Sequence, residues 1–243
     1  MKFTLIIISI IFSGILLAQE VPAKYQKLWQ NINEAEDESA RKELLKELKK
    51  SPKDPWLNFI AGHAYLFSEP EKAQSYFEKT IAIDSTIGPA YYGLALTLDD
   101  SLDIDREITL YGKAIKFDPG DGFSHLYRGG LYLKKGLPDL AMADAEAAKK
   151  CELTDPLAID GLLIEVMDYE GKTKELHSFV KNGGYSDIEL MWNQSTIDIV
   201  IRVYEELNQP QDVCKMCRMI QKEYSMFEKD PPAEIQEKLK KCN

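Results

Sequence analysis

Residues 122–155 read GFSHLYRGGLYLKKGLPDLAMADAEAAKKCELTD. The large apolar pairs Leu126-Tyr127 and Leu131-Tyr132 flank Gly129-Gly130, and small residues recur from Ala141 through Ala145 to Ala148. Between them lies Lys135-Gly136-Leu137-Pro138-Asp139. Glycine there stops one helix and proline opens the next, so the stretch is predicted to be a helical hairpin. Moving outward, the same hairpin returns at a fixed interval. Phe77, Tyr111, Ala145 and Phe179 are spaced 34, 34 and 34 residues apart. Ala73, Glu107, Ala141 and Glu175 form a second column, and Tyr65, Leu98, Tyr132 and Val166 a third, spaced 33, 34 and 34. Several independent columns with one period are the signature of a repeat architecture.

Within 55–87 the periodicity is helical on both sides of Ser68-Glu69-Pro70. Trp56, Phe59, Ile60, His63, Ala64 and Phe67, then Ala73, Phe77, Thr80 and Ile81, follow i, i+3, i+4, i+7 spacing. The unit 88–121 carries Leu94, Ala95, Tyr111, Ala114 and Pro119 at matching places. With Gly129, Tyr132, Ala141, Ala145 and Ala148 in 122–155, these residues resemble the tetratricopeptide repeat family, whose unit is 34 residues long. The resemblance implies an all-α fold, a right-handed superhelical solenoid of stacked helix-turn-helix repeats ending in a capping helix. Three units, 55–87, 88–121 and 122–155, match well. Upstream, 19–54 is expected to be a degenerate hairpin that keeps Ala40, Leu44 and Pro52 in phase. Downstream, 156–227 is expected to hold two degenerate repeats, 156–189 and 194–227. The step from Phe179 to Cys217 is 38 residues, which places a short insertion near 190–193. Pro231-Pro232 then open an amphipathic segment with Ile235 and Leu239 on one face, so 228–243 reads as a capping helix and tail.

Residues 1–18 read as a removable signal peptide. Lys2 supplies a positive start, Phe3 to Leu17 an apolar run, and Ala18 a small residue before Gln19-Glu20. Fifteen apolar residues fall short of the ~20 that span a bilayer, so no stable membrane insertion is expected after cleavage. The expected compartment is periplasmic or extracellular. The 243 residues carry 30 Lys and Arg against 40 Asp and Glu, a net charge of −10. That balance argues against a nucleic-acid partner, because phosphate binding needs clustered cations.

In the resembled family a groove is lined by first-helix positions 2, 5, 9, 12 and 13. Carried onto this sequence, they give the partner-binding residues Trp56, Phe59, His63, Phe67, Tyr92, Leu96, Asp99, Phe123 and Leu126. A charge clamp for a C-terminal carboxylate, Lys and Asn at positions 5 and 9, is replaced here by Phe59 and His63, Tyr92 and Leu96, and Leu126 and Gly130. The expected function is an exported, non-enzymatic interaction module that binds a protein or peptide segment, apolar, aromatic or basic in character. The alternatives are a dedicated inhibitor or immunity-type protein for one exported enzyme, and a redox or hydrolytic enzyme on a helical scaffold.

Catalytic and cofactor signals are weak, and no cofactor or metal is expected. Asp99, Ser101, Asp103 and Asp105 have the alternation of a calcium loop, but Ile104 occupies its glycine place and Leu110 its last ligand; a capped, solvated turn is the plainer reading. Cys214-Lys215-Met216-Cys217 has C-x-x-C spacing with no strand before it. Cys217 also falls on a core column. One of the pair is expected to bridge to Cys242 in the capping segment, with Cys217–Cys242 as the candidate disulfide. His63, His125 and His177 sit singly in separate units, and Asn193-Gln194-Ser195 is a glycosylation sequon.

Overall fold

A computed structural model describes residues 21–35, 38–98, 103–151, 154–183, 194–226 and 229–242. The signal segment 1–18, the insertion near 190–193, the sequon asparagine and Asp99 lie outside them. Among the described residues there are thirteen α-helices and no strands. In chain order they are α1 (Ala23–Ala35), α2 (Glu38–Lys50), α3 (Pro55–Tyr65), α4 (Pro70–Ile83), α5 (Gly88–Leu96), α6 (Ile104–Phe117), α7 (Gly122–Lys134), α8 (Pro138–Ala148), α9 (Pro156–Tyr169), α10 (Thr173–Gly183), α11 (Gln194–Glu206), α12 (Pro210–Met226) and α13 (Ala233–Lys240). None is long and apolar enough to cross a membrane.

The helix ends follow from their side chains. Asp54 accepts hydrogen bonds from the backbone N–H of Trp56 and Leu57, and Asp121 from that of Ser124, so each caps the following first helix. Pro55, Pro70, Pro138 and Pro156 stand in first turns, where a missing N–H leaves no bond unmade. At the turn after α7, Gly136 has φ 72°, and the N–H groups of Gly136 and Leu137 reach back to the carbonyls of Leu133 and Tyr132. Gly171 (φ 67°) closes α9 with the same pair of bonds, and Asn208 (φ 53°) closes α11 likewise. All three turns need a left-handed residue, and glycine or asparagine meets that need at least cost.

The chain forms two compact units, residues 1–154 and 155–243. In the first unit α1 and α2, α3 and α4, α5 and α6, and α7 and α8 pack as antiparallel pairs, and each pair packs on the next. The period-34 columns are the core columns: Phe77, Tyr111 and Ala145 are buried, as are Ala73, Glu107 and Ala141. A hairpin with one apolar face must bury it against a neighbour, and these columns are where the burial occurs. Phe77 shows how tightly. A Cβ placed on Gly62 of α3 would lie 2.7 Å from its ring, and one on Gly93 of α5 would lie 2.5 Å away, so two glycines clasp the ring from successive first helices.

In the second unit α9 packs on α10 and α11, α11 on α12, and α12 on α13. Tyr204, Val213, Cys217 and Ile220 are buried there, and Ile235 of α13 is buried too. The disulfide joins Cys214 to Cys242, and Cys217 is a buried free thiol. The expected Cys217–Cys242 bridge is therefore corrected. The two cysteines are three residues apart on α12, and Cys217 points into the core column while Cys214 is only half-buried beside the tail of α13.

Candidate functional site

The first helices α3, α5 and α7 carry most of the residues expected to bind a partner, all in the first unit. On α3, Trp56, Phe59 and His63 stand at i, i+3 and i+7, one stripe of the helix. The structure adds Trp29 of α1 to that stripe. Its ring stacks on Phe59 at 5.5 Å between centroids and lies 4.5 Å from the His63 ring. Trp56 meets Phe59 edge-on at 5.7 Å. Phe59 is 1 % exposed and belongs to the core, which corrects its place among the contact residues. It carries Trp56 and Trp29 as a floor.

Asp54 anchors the start of this stripe. Besides its two capping bonds it accepts the Tyr25 hydroxyl, and Lys24 Nζ lies 3.5 Å away. Burial pushes its carboxyl up, but the bonds from Tyr25 and Leu57 and the Lys24 charge outweigh that and hold it below the usual range. His63 is different. Neither Nδ1 nor Nε2 has a hydrogen-bond partner among the described residues, and burial alone lowers its pKa to about 4. The imidazole is neutral at physiological pH.

A second aromatic group centres on α5. Tyr92 packs against Tyr111 at 6.0 Å and Tyr127 at 5.9 Å, and Tyr111 and Tyr127 stack at 5.5 Å. Burial, followed by the neighbouring Tyr127, Tyr111 and Asp121 oxygens, drives the Tyr92 hydroxyl well above its ordinary pKa. Leu96, Phe123 and Leu126 are half-buried on α5 and α7. Phe67 is 50 % exposed just beyond the end of α3, past its capping residue Leu66. The structure thus gathers Trp56 and His63 with Trp29, and Tyr92 with Tyr111 and Tyr127; Phe67 stands apart.

Sequence reasoning missed Trp29, although a signal existed: Trp29 and His63 are 34 residues apart, the repeat period. It also missed Asp144 of α8, which is 4 % exposed and accepts bonds from Arg128 Nε at 2.9 Å and Nη2 at 2.7 Å, with His125 Nδ1 at 2.7 Å. These ties fasten α7 to α8. The adjacent hydroxyl, that of Ser124, gives its proton to Asp121 and not to His125. Of the acidic turn, Asp103 caps α6 and Asp105 pairs with Lys135. Among the described residues no group of three His, Cys, Asp or Glu side chains is placed to hold a metal. In the second unit a cavity of about 710 Å³ opens between α9 and α10, with Asp160, Lys174, Glu175, Ser178 and Asn182 around Met167 and Phe179. It brings together no recognisable chemical set.

Solved structures share the fold that carries these residues. PilF of Pseudomonas aeruginosa matches with a TM-score of 0.67 at 14 % identity, over 86 % of this chain and 94 % of that one. A tetratricopeptide repeat protein of Parabacteroides merdae matches at 0.60 and 12 % identity, over 90 % and 82 %. YrrB, described as a TPR protein with an unusual peptide-binding site, matches at 0.53 and 17 % identity, over 76 % and 91 %. The chain has the tetratricopeptide-repeat fold. No family model matches the sequence, and no curated protein does either. In the numbering of a tetratricopeptide unit, Trp29 and His63 both occupy position 9 of the first helix, in successive repeats. Their ring contact is the sideways meeting of equivalent positions.

Proposed function

We propose that this tetratricopeptide-repeat chain is an exported, non-enzymatic interaction module that holds a protein or peptide segment on the first-helix face of its first unit. The observation that carries the reading is the aromatic stripe of Trp56 and His63, continued on α5 by Tyr92 and backed by the buried rings of Phe59 and Trp29. Rigid aromatic side chains of this kind give contact area at low entropic cost and are typical anchors of interfaces. Stacked repeats supply the stiff scaffold on which such a stripe is held in place. Export is supported by the apolar N-terminal run and by the Cys214–Cys242 disulfide, because disulfides persist in oxidising compartments. The residues 1–18 are then removed and the mature protein is periplasmic or extracellular.

The test is capture of partners by the tagged protein from its own extracytoplasmic fraction, with crosslinking and mass spectrometry. A retained protein crosslinked to α3 and α5, and lost on the double substitution Trp56→Ala, Tyr92→Ala in a folded chain, is the expected result. Retention unchanged by the double substitution would sink the assignment of the face.

A further inference from the structure

Three of the four cysteines lie towards the end of the second unit, and they are of two kinds. Cys214 and Cys242 form the bridge, and both are half-buried, within reach of a small reagent in solution. Cys217, one turn along α12 from Cys214, is a free thiol and 0 % exposed. Burial pushes the Cys217 thiol up, and the charges that then act on it are Lys238, which lowers it, and Glu205 and Glu234, which raise it. Lys238 and Glu234 belong to α13, so the capping helix lies beside the buried thiol.

The hold on α13 is narrow. It is eight residues long, and a helix that short does not persist alone in water. Within it Ile235 is buried, Lys238 and Leu239 are half-buried, and the remaining side chains are exposed; Pro231, just before it, is buried. Lys238 pairs with Glu205 and Glu234, whose carboxylates are exposed, and the bond from Arg218 to the Cys242 carbonyl is exposed too. Such contacts contribute little. The bond from Cys214 to Cys242 is therefore the main fastening at the far end of α13.

The C-x-x-C spacing restricts what happens once that bond opens. Residues i and i+3 of a helix have Cβ atoms about 5–6 Å apart, whereas a disulfide needs about 3.5–4.5 Å. Cys214 cannot pair with Cys217 while α12 is intact, so re-oxidation returns it to Cys242.

We propose that α13 is a redox-released cap: reduction of the Cys214–Cys242 bond by a dithiol frees α13 and uncovers Cys217 on the apolar stripe it shares with Val213 and Ile220 of α12. One thiolate of the dithiol attacks a bridge sulfur, and the other cysteine leaves as a thiolate and is protonated. The second thiol of the dithiol then displaces the attached cysteine. The bridge gains two electrons and two protons, and the dithiol becomes a disulfide. The cap is independent of the binding face on the first unit.

The test is alkylation of the native full chain by N-ethylmaleimide, before and after dithiothreitol, with each cysteine followed by mass spectrometry. Cys151, half-buried in the first unit, is the internal reference. Relative to Cys151, Cys217 is expected to be labelled about a hundredfold faster after reduction, as loss of a link across 28 residues implies. Amide exchange in α9 is expected to stay slow. Cys242→Ser should give the same labelling without dithiothreitol, and re-oxidation of the wild type should restore both the bridge and the protection. Cys217 that stays protected after Cys214 and Cys242 have both been labelled overturns the proposal, because burial of Ile235 then holds the cap unaided. So does a bridge that resists dithiothreitol until urea unfolds the chain, labelling of Cys217 at one rate before and after reduction, or re-oxidation through Cys217. Faster exchange in α9 alongside the labelling also overturns it, since the unit then unfolds as a whole and no cap is released.

Discussion

Glycine placement gives the sharpest residue-scale test of the packing. Gly93 faces the Phe77 ring with room for no methyl group, and Phe77 is wholly buried with Gly62 on its other side, so the ring has nowhere to move. Gly93→Ala is expected to lose about 2 kcal/mol through overpacking, against a helix-propensity gain of about 1 kcal/mol. Gly130 of α7 meets nothing within 4 Å, so Gly130→Ala keeps only the gain and is expected to be stabilising. Denaturant midpoints that move in the same direction for both variants would contradict this account. His63 offers a second test. Its folded pKa of about 4 lies below the ordinary 6.5, so between those values the unfolded chain binds more protons. The stability it contributes is complete above pH 6.5 and is lost as pH falls towards 4, about 3 kcal/mol in all. Melting curves at pH 7 and 4.5 should separate less for His63→Phe than for the wild type. An equal separation would show that His63 is solvated in the folded chain. The sequence marked His63 as a groove position, but that its nitrogens lack partners depends on Trp29, which lay in the weakly matching first unit.

At the scale of the elements, the hairpin of α7 and α8 was the most legible part of the sequence. Gly136 and Pro138 mark its turn, and its small residues mark the faces that meet. What could not be read was the polar tie inside it, because Arg128 and Asp144 are sixteen residues apart and either would pass as a surface charge. Burial pushes the Asp144 carboxyl up, and the bonds from Arg128 and His125 overcome this and hold it below the usual range. Its contribution is thus present above the carboxylate range and is lost as pH falls through the lowered value. Asp144→Asn is expected to cost about 2 kcal/mol in urea denaturation, since it weakens charge-assisted bonds at a buried site. Replacing both partners, Arg128→Met with Asp144→Leu, should recover part of that loss, because no charge is then left unpaired. A double variant that loses as much as, or more than, the sum of the losses of Arg128→Met and Asp144→Leu made singly would refute the tie. Phe59 illustrates the other limit of legibility. Family positions define a stripe of the helix, but neighbours decide which of its side chains become floor and which become surface.

At the scale of the molecule, the repeat period reads the all-α fold, because each core column recurs with the register of stacked hairpins. It also bears on the disulfide. Cys217 occupies the column of Phe77 and Tyr111, 38 residues beyond Phe179, and a residue in that column faces the core; Cys214, one turn earlier, is left for the bridge. The bridge ties Cys214 of α12 to Cys242, just past α13, across a sequence separation of 28 residues. By loop-closure entropy such a link is worth about 3–4 kcal/mol. In stacked repeats stability is a sum of local terms, so its loss should stay local. Cys242→Ser is therefore expected to speed amide hydrogen exchange in α12 and α13 and leave α3 to α8 unchanged. Arg218, which donates to the Cys242 carbonyl at 2.9 Å, and Lys238, paired with Glu205, would then hold the end of the chain alone. Both contacts are exposed, and exposed pairs contribute little. Exchange that rises equally in α3 to α8 would show the molecule unfolding as one cooperative block. Exchange unchanged everywhere would show that burial of Ile235 already holds α13 in place without the bridge.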